Sequence, residues 1–284
     1  MRTLVHLSDL HFGRTDPAIL EPIVAQVHAI APDLVVVSGD LTQRARATQF
    51  VEARAFLDAL PQPQIVVPGN HDVPLFNVAA RLFQPLKKYR RHIQQDLQPV
   101  YIDDEIAVIG INTARSLTIK DGRVNDQQIE RARRQMAMLD DHIVKVIVTH
   151  HPFDLPAGPQ HHDLVGHSIP AMRAFALCGA DLLLAGHVHT SSAVSSSAHY
   201  DIPGYSALVV QAGTATSTRS RGETNSFNVI YIEAERIAVE RMGWQPDQGK
   251  FVRTGLQCFR QTGNEWTLEE APPALADGDM QNPA

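Results

Sequence analysis

Cysteine is scarce in this chain: two thiols, Cys178 and Cys258, stand far apart in 284 residues. They have no metal-ligand spacing and offer no disulfide framework, so both read as reduced core or surface residues. Positive charge is also short, with Lys+Arg at 25 against Asp+Glu at 31 and a formal net charge of −6. Binding to polyanionic nucleic acid draws on a basic excess, so a nucleic-acid partner is not favoured. Long apolar runs are missing too. No segment approaches the ~20 apolar residues of a membrane span. The amino terminus, Met1-Arg2-Thr3-Leu4-Val5-His6, enters a strand pattern and reaches polar Ser8 without the apolar core of a signal peptide. The expected compartment is therefore the cytoplasm.

What is present is an ordinary globular balance, 44% hydrophobic and 20% charged, which is enough to bury a sizeable core. Residues 1–270 are expected to form one domain. The segment Ala271 to Ala284 has little apolar content beyond scattered Ala, Leu and Met, and is expected to be a flexible tail. Short Val/Ile/Leu runs alternate with longer helical patterns, the mark of buried strands linked by helices and covered on both faces. The strands expected are Leu4 to Leu7, Leu34 to Val37, Ile65 to Val67, Ile106 to Ile111, Val144 to Val148 and Leu182 to Ala185. Helices are expected over Ala18 to Ile30, Ala47 to Leu60, Asp126 to Leu139 and Ile169 to Leu177. After Thr190 the stretches Leu208 to Gln211, Phe227 to Glu233 and Ile237 to Met242 are strand-like with no long helical period, which predicts a second, antiparallel half.

The unusual abundance is histidine, fourteen in all, and much of it sits where strands should stop. Ser8-Asp9-Leu10-His11, Ser38-Gly39-Asp40, Gly69-Asn70-His71-Asp72, His150-His151 and Gly186-His187-Val188-His189 each follow an apolar run. In open sheets with helical crossovers such ends gather ligands. Asp, Asn and His are the hard oxygen and imidazole donors that a pair of divalent ions needs, and such a pair speeds phosphoester cleavage. On a strand, residues two apart point the same way, so Asp9 with His11, and His187 with His189, could each reach one ion. The glycines before these ligands allow close backbone approach. A lone histidine near an apolar run, such as His6 or His28, is a structural residue on the same reasoning. His151 is either a support behind the ligands or a packing residue, and His161, His162 and His167 are expected in a loop at the cleft mouth. Arg131, Arg133 and Arg134 read as a solvated helix face.

In this order the motifs Asp-x-His, Gly-Asp, Gly-Asn-His-Asp, His-His and Gly-His-x-His resemble the calcineurin-like metallophosphoesterase family over roughly Met1 to Gly213. The resemblance implies an α/β fold, a four-layer αββα sandwich of two mixed β-sheets flanked by helices, with a dinuclear metal site at the strand C-terminal ends. It implies one ion held by Asp9, His11, Asp40 and His189 and a second by Asp40, Asn70, His150 and His187, with Asp40 bridging. His71 then contacts the phosphoryl oxygen or protonates the leaving oxygen, and Asp72 orients its ring. The ions implied are iron, manganese, zinc or cobalt, since this donor set accepts any of them. The reaction implied is attack by a metal-bridging hydroxide on a small-molecule phosphodiester.

A narrower resemblance, carried by His6 to His11 and by Thr218 to Asn228, is to the bacterial branch that hydrolyses 3′,5′-cyclic nucleotides such as cAMP to nucleoside 5′-monophosphates. Enzymes acting on glycerophosphodiesters resemble it too. Arg219 or Arg221 could fork onto a phosphate, or Arg221 could pair with Glu223 to brace a loop. Asn112, Thr113 and Arg115 could line the same edge. Nucleotide or lipid-precursor pyrophosphates are a further substrate class, which a longer basic, apolar helical cap would favour, and no clear one is visible. A binding scaffold without turnover is the reading from another class. A homodimer is possible, since Tyr205 to Val210 reads equally as core or as a dimer edge.

Overall fold

The computed structural model describes residues 1–156, 164–196, 200–218 and 222–269. The expected tail at 271–284 and the candidates Arg219, Arg221, His161 and His162 lie outside the described residues.

Among the described residues, thirteen strands fall into two sheets. The first has seven strands. Three are parallel, β1 (Arg2–Leu7), β2 (Leu34–Val37) and β3 (Gln64–Val66), and four form an antiparallel meander on the other edge of β1: β10 (Ser226–Glu233), β11 (Arg236–Gln245), β12 (Lys250–Thr262) and β13 (Glu265–Leu268). The second sheet runs β4 (Val100–Ile102), β5 (Ile106–Gly110), β6 (Val144–Val148), β7 (Leu182–Ala185), β9 (Leu208–Gln211) and β8 (Ser192–Ser195). Only β4 and β8, at its two edges, are antiparallel to their neighbours.

The two-residue period of a strand sorts side chains between layers. Leu34 and Val36 of β2 point into the core between the sheets, with Val108, Val146 and Leu184 from the second sheet. Val35 and Val37 point the other way, against Ile19, Ile23 and Val27 of helix α1 (Pro17–Ile30) and Phe50 and Leu57 of α2 (Ala47–Asp58). Ile109, Ile147 and Leu183 meet Ile129 and Met136 of α5 (Asp126–Met136) and Met172 and Phe175 of α6 (Ser168–Leu177) on the opposite outer face. The result is the expected αββα sandwich. Both faces of the parallel strands are buried, which is why they appear as unbroken apolar runs.

Helix α1 begins where Asp16 accepts a hydrogen bond from the Ala18 amide and Pro17 takes the first turn. Helix α5 starts at Asp126 as expected, with Asn125 as its cap and Gln128 closing a capping box onto it. The chain after Thr190 does not form a separate antiparallel half. Strands β8 and β9 complete the second sheet, with β9 parallel to β7, and β10 to β13 extend the first by pairing β10 with β1. Leu208 to Val210 is fully buried, so the Tyr205 to Val210 segment is core. Two helices absent from the expected set, α3 (Val78–Phe83) and α4 (Lys87–His92), cover the surface between β3 and β4. No helix among the described residues is long and apolar enough to cross a membrane.

Candidate metal centre

The carboxyl ends of β1, β2, β3, β6 and β7 bring all five motifs together. The ligand pairs do not sit on strands as their two-residue spacing implies. Asp9 and His11 lie beyond the end of β1 with φ of 55° and 51°, and His187 and His189 lie beyond β7 at 74° and 62°. Asp40 has φ of 52°. Left-handed backbone costs an L-residue about 1–2 kcal/mol, so five non-glycine residues of this kind in one cleft mark where the fold tolerates strain for function. The loops are locked to each other by Asp9 N to Gly39 O at 3.1 Å and His11 N to Asp40 O at 2.9 Å. Two glycines are required by contact. A Cβ on Gly69 would lie 2.1 Å from Asp40 Oδ1, and one on Gly186 would lie 1.8 Å from Ser8 Oγ and 2.6 Å from Asp9 Oδ2.

Asp9, His11 and His189 form the first donor group. Asp9 Oδ2 accepts from Ser8 Oγ at 2.7 Å and from the His187 amide at 3.0 Å. Its other oxygen, Oδ1, is buried with no hydrogen-bond partner among the described residues, and faces His189 Nε2 at 3.2 Å and His11 Nε2 at 3.5 Å. The two imidazole Nε2 atoms are 3.4 Å apart. Donors bound at about 2.1 Å to one ion sit roughly 3.0–3.4 Å from one another. An orphaned carboxylate oxygen facing two ring nitrogens at that separation fits a metal ion.

Asp40 joins this group to a second. Its Oδ1 is taken by the His71 amide at 2.8 Å, which leaves Oδ2 facing His150 Nε2 at 3.4 Å and His11 Nε2 at 3.8 Å. Asn70 Oδ1 lies 3.2 Å from His150 Nε2, and the His187 ring is 5.1 Å from the His150 ring. His150 Nδ1 sits 2.8 Å from the Ser38 carbonyl, so Nδ1 carries the proton and Nε2 offers its lone pair to the cleft. Burial alone would raise the Asp9 and Asp40 carboxyls. Facing imidazoles, His189 for Asp9 and His150 for Asp40, reverse this and hold both below the usual carboxylate range. Burial would lower His150, and Asp40 overrides it, raising the ring to about 9.

His151 is not a ligand by this geometry. Both its nitrogens are engaged, Nδ1 with Thr113 Oγ1 at 2.7 Å and Nε2 with the Lys120 carbonyl at 2.9 Å, and its ring backs His187 at 4.5 Å. His71 reaches the cleft, with Nε2 4.0 Å from Asp40 Oδ2. The expected contact of its ring with Asp72 is replaced: Nδ1 lies 3.0 Å from the Gln43 carbonyl. Asp72 instead accepts from the amides of Gly69, Leu41 and Thr42 and from Thr42 Oγ1, so it ties the β2 and β3 loops together. Burial and then the nearby Asp40 charge raise its carboxyl to about 7.

Of the expected substrate contacts, Thr113 is buried behind His151, while Asn112 and Arg115 line a neighbouring cavity instead of the metal cleft. His167 pairs with Asp126 at 2.8 Å. His6 is structural as expected, bonded to Ser38 Oγ and driven to about 3 by burial. Glu223 accepts from Arg241 and from the Ser191 amide, two residues beyond His189. The cleft, about 220 Å³, is also lined by Gln43, Arg44 and Lys120, none of which the ligand motifs single out.

Residues 2–191 match the calcineurin-like phosphoesterase family. A glycerophosphodiester phosphodiesterase, GpdQ, of Enterobacter lignolyticus is 35% identical over 80 residues, 24% of this chain and 29% of the relative's length. A probable cyclic nucleotide phosphodiesterase of Synechococcus is 23% identical over 209 residues, 66% of this chain and 73% of that one. A dimetal phosphatase from Danio rerio superposes with a TM-score of 0.64 at 14% identity over 89% of this chain and 98% of its own, a likeness of fold.

Proposed function

The chain belongs to the calcineurin-like phosphoesterase family; from that premise we propose that it is a metal-dependent phosphoesterase whose substrate is a small phosphodiester, a 3′,5′-cyclic nucleotide such as cAMP, opened to the nucleoside 5′-monophosphate. The observation that carries the two-ion reading is the Asp40 Oδ2 atom, 3.4 Å from His150 Nε2 and 3.8 Å from His11 Nε2.

In this reading Asp9, His11, Asp40 and His189 hold one ion, and Asp40, Asn70, His150 and His187 hold the other. Two such ions polarise phosphoryl oxygens and make water acidic enough to attack at neutral pH. Their charge outweighs Asp9 and Asp40, so an anionic diester is drawn into the cleft of an acidic protein. The protein's own groups do the rest. Ser8 and the His187 amide fix Asp9, the Ser38 carbonyl fixes the His150 tautomer, and Gln43 aims His71. With Nδ1–H of His71 committed to a carbonyl, Nε2 faces the cleft; the ring acts as acid in its doubly protonated form, giving the Nε2 proton to the leaving 3′ oxygen and returning to the neutral imidazole. Asp72 acts by holding the loop that carries His71, not by touching its ring.

A second reading, glycerophosphodiesters, is favoured by the 35% identical relative of that name. The deciding experiment is turnover by manganese-loaded protein of cAMP, glycerophosphodiesters and bis(p-nitrophenyl) phosphate, with identification of the products. Formation of 5′-AMP supports the first reading. Cleavage of glycerophosphodiesters with cAMP untouched moves the assignment to the second, and hydrolysis of none of the three returns the fold to the role of a binding scaffold.

A further inference from the structure

Beside the metal cleft lies a cavity of about 800 Å³ that the reaction does not use. Lys87, Arg90 and Arg91 come to it from α4, and Arg115 comes from the segment after β5. No carboxylate lines it among the described residues. Several arginines elsewhere have an acidic partner: Arg2 with Asp103, Arg54 with Asp58, Arg133 and Arg134 with Glu130, Arg236 and Arg260 with Glu269. In a chain with six more acids than bases, this cavity gathers four cations and no carboxylate among its described lining residues. Their mutual repulsion is unfavourable unless an anion joins them.

Arg115 carries the argument furthest. It is half-buried, and the acceptors that hold it are neutral: Nε donates to the Arg123 carbonyl at 2.8 Å and Nη2 to Gln128 Oε1 at 3.1 Å. Burial, and then the Arg123 charge, push its guanidinium below the usual value, so its positive charge is not compensated where it stands. Phe83, 83% exposed, sits on the rim and gives the opening an apolar lip. Helices α3 and α4, six residues each, give this edge a basic wall and an apolar lip rather than the longer helical cap whose absence the sequence shows.

We propose that this cavity is a second ligand site, built for a phosphate-bearing molecule with more than one negative charge, with Arg115 as the fixed anchor and Lys87, Arg90 and Arg91 as the outer wall. Arginine forks match phosphate oxygens, and the outer cations add long-range attraction. The ligand chemistry is shared by a free bisphosphate and by the headgroups of an anionic bilayer, against which Phe83 would lie. The site also touches the reaction centre through the chain. Ser116 and Thr118 carbonyls are gripped by Arg81 of α3, and the Ile119 carbonyl accepts from Asn70 Nδ2 at 3.3 Å.

The test is hydrogen-exchange mass spectrometry on the metal-loaded protein with fructose 1,6-bisphosphate in one arm and phosphatidylglycerol/phosphatidylcholine vesicles in the other. Protection of residues 83–97 and 112–116, fading with added salt, is the expected result. R90E/R91E and, separately, R115Q should weaken that binding at least ~10-fold, while R131E, outside the cavity, should not. Protection by the bisphosphate assigns a free phosphate, and protection by vesicles alone assigns the lipid headgroup. No protection in either arm, or protection that survives both R90E/R91E and R115Q, overturns the site.

Discussion

Asp40 and His150 meet through Oδ2 and Nε2 at 3.4 Å, and the far nitrogen of the same ring lies 2.8 Å from the Ser38 carbonyl. In the ion-free protein this pair is a buried ion pair. His150 rises from 6.5 to about 9 because the Asp40 carboxylate outweighs the cost of burial. A group whose folded pKa is raised stabilises the fold fully below its unfolded pKa and loses that contribution as pH climbs through the folded one. EDTA-treated protein should therefore lose thermal stability between about pH 6.5 and 9, and metal uptake in that window should release protons, because the ion needs the neutral ring. Calorimetric titration in buffers of differing ionisation enthalpy measures the release. Metal uptake with no proton release below pH 9 would contradict the pairing.

Asp40 faces both donor groups, whereas His71 contacts the cleft without joining either ion's proposed set. Asp40→Ala should lower bound metal at both positions and cut turnover at least ~10²-fold. His71→Ala should keep its metal and lose about 10²–10⁴-fold in kcat, the range of a general acid. Elemental analysis beside kinetics separates the two. Equal metal loss in both variants would refute the separate roles.

Gly69 and Gly186 stand where a methyl group has no room, 2.1 Å from Asp40 Oδ1 and 1.8 Å from Ser8 Oγ. Overpacking of this kind costs about 1–3 kcal/mol, and here it also displaces a ligand or its support. Gly69→Ala and Gly186→Ala should each lower Tm and weaken metal binding together. Gly255→Ala in β12, where the nearest atom is 4.0 Å away, should leave metal binding unchanged. Thermal unfolding with and without manganese reads both effects, and unchanged metal affinity in the first two variants counts against the packing account.

Much of this architecture is legible in the sequence, for a physical reason. Strands β2, β6 and β7 match the apolar runs residue for residue because both faces are buried and no polar residue interrupts the run beyond Lys145. Strand β12, from Lys250 to Thr262, escapes notice because its exposed positions carry Arg253, Thr254 and Gly255 in sequence, which breaks the alternation. Helices α3 and α4 have six residues each, too few for a helical period to register. The metal donors are legible as residues but not as geometry. Spacing placed Asp9 and His11 on a strand, and the backbone puts them in left-handed turns, where close interlocking with Gly39 and Asp40 brings them together. Asn112 and Arg115 follow a strand end on the correct side of the sheet, yet the turn after Ile111 sends them to the neighbouring cavity, a choice that depends on contacts distant in sequence.

Glu223 belongs to the stretch Thr218 to Asn228, and its contacts brace a turn. Its Oε2 receives Arg241 Nη2 at 2.5 Å and the Ser191 amide at 3.2 Å, so it holds the turn that leaves His189. Both side chains are about a third exposed, 30% and 31%, so solvent screens the pair and its share of stability is small, about 0.2–1 kcal/mol. The larger consequence is positional. Glu223→Gln keeps the shape and one acceptor oxygen but loses the charge that anchors Arg241, and the loosened turn should weaken manganese affinity a few-fold, roughly what 0.5–1 kcal/mol supplies, with Tm shifted by a few degrees at most. Glu130→Gln removes a comparable surface pairing, with Arg133 and Arg134 on α5, far from any ligand loop. It should match the small Tm change and leave manganese affinity alone. If the two variants bind manganese equally well, Glu223 stabilises only its own strand and the link to His189 is wrong.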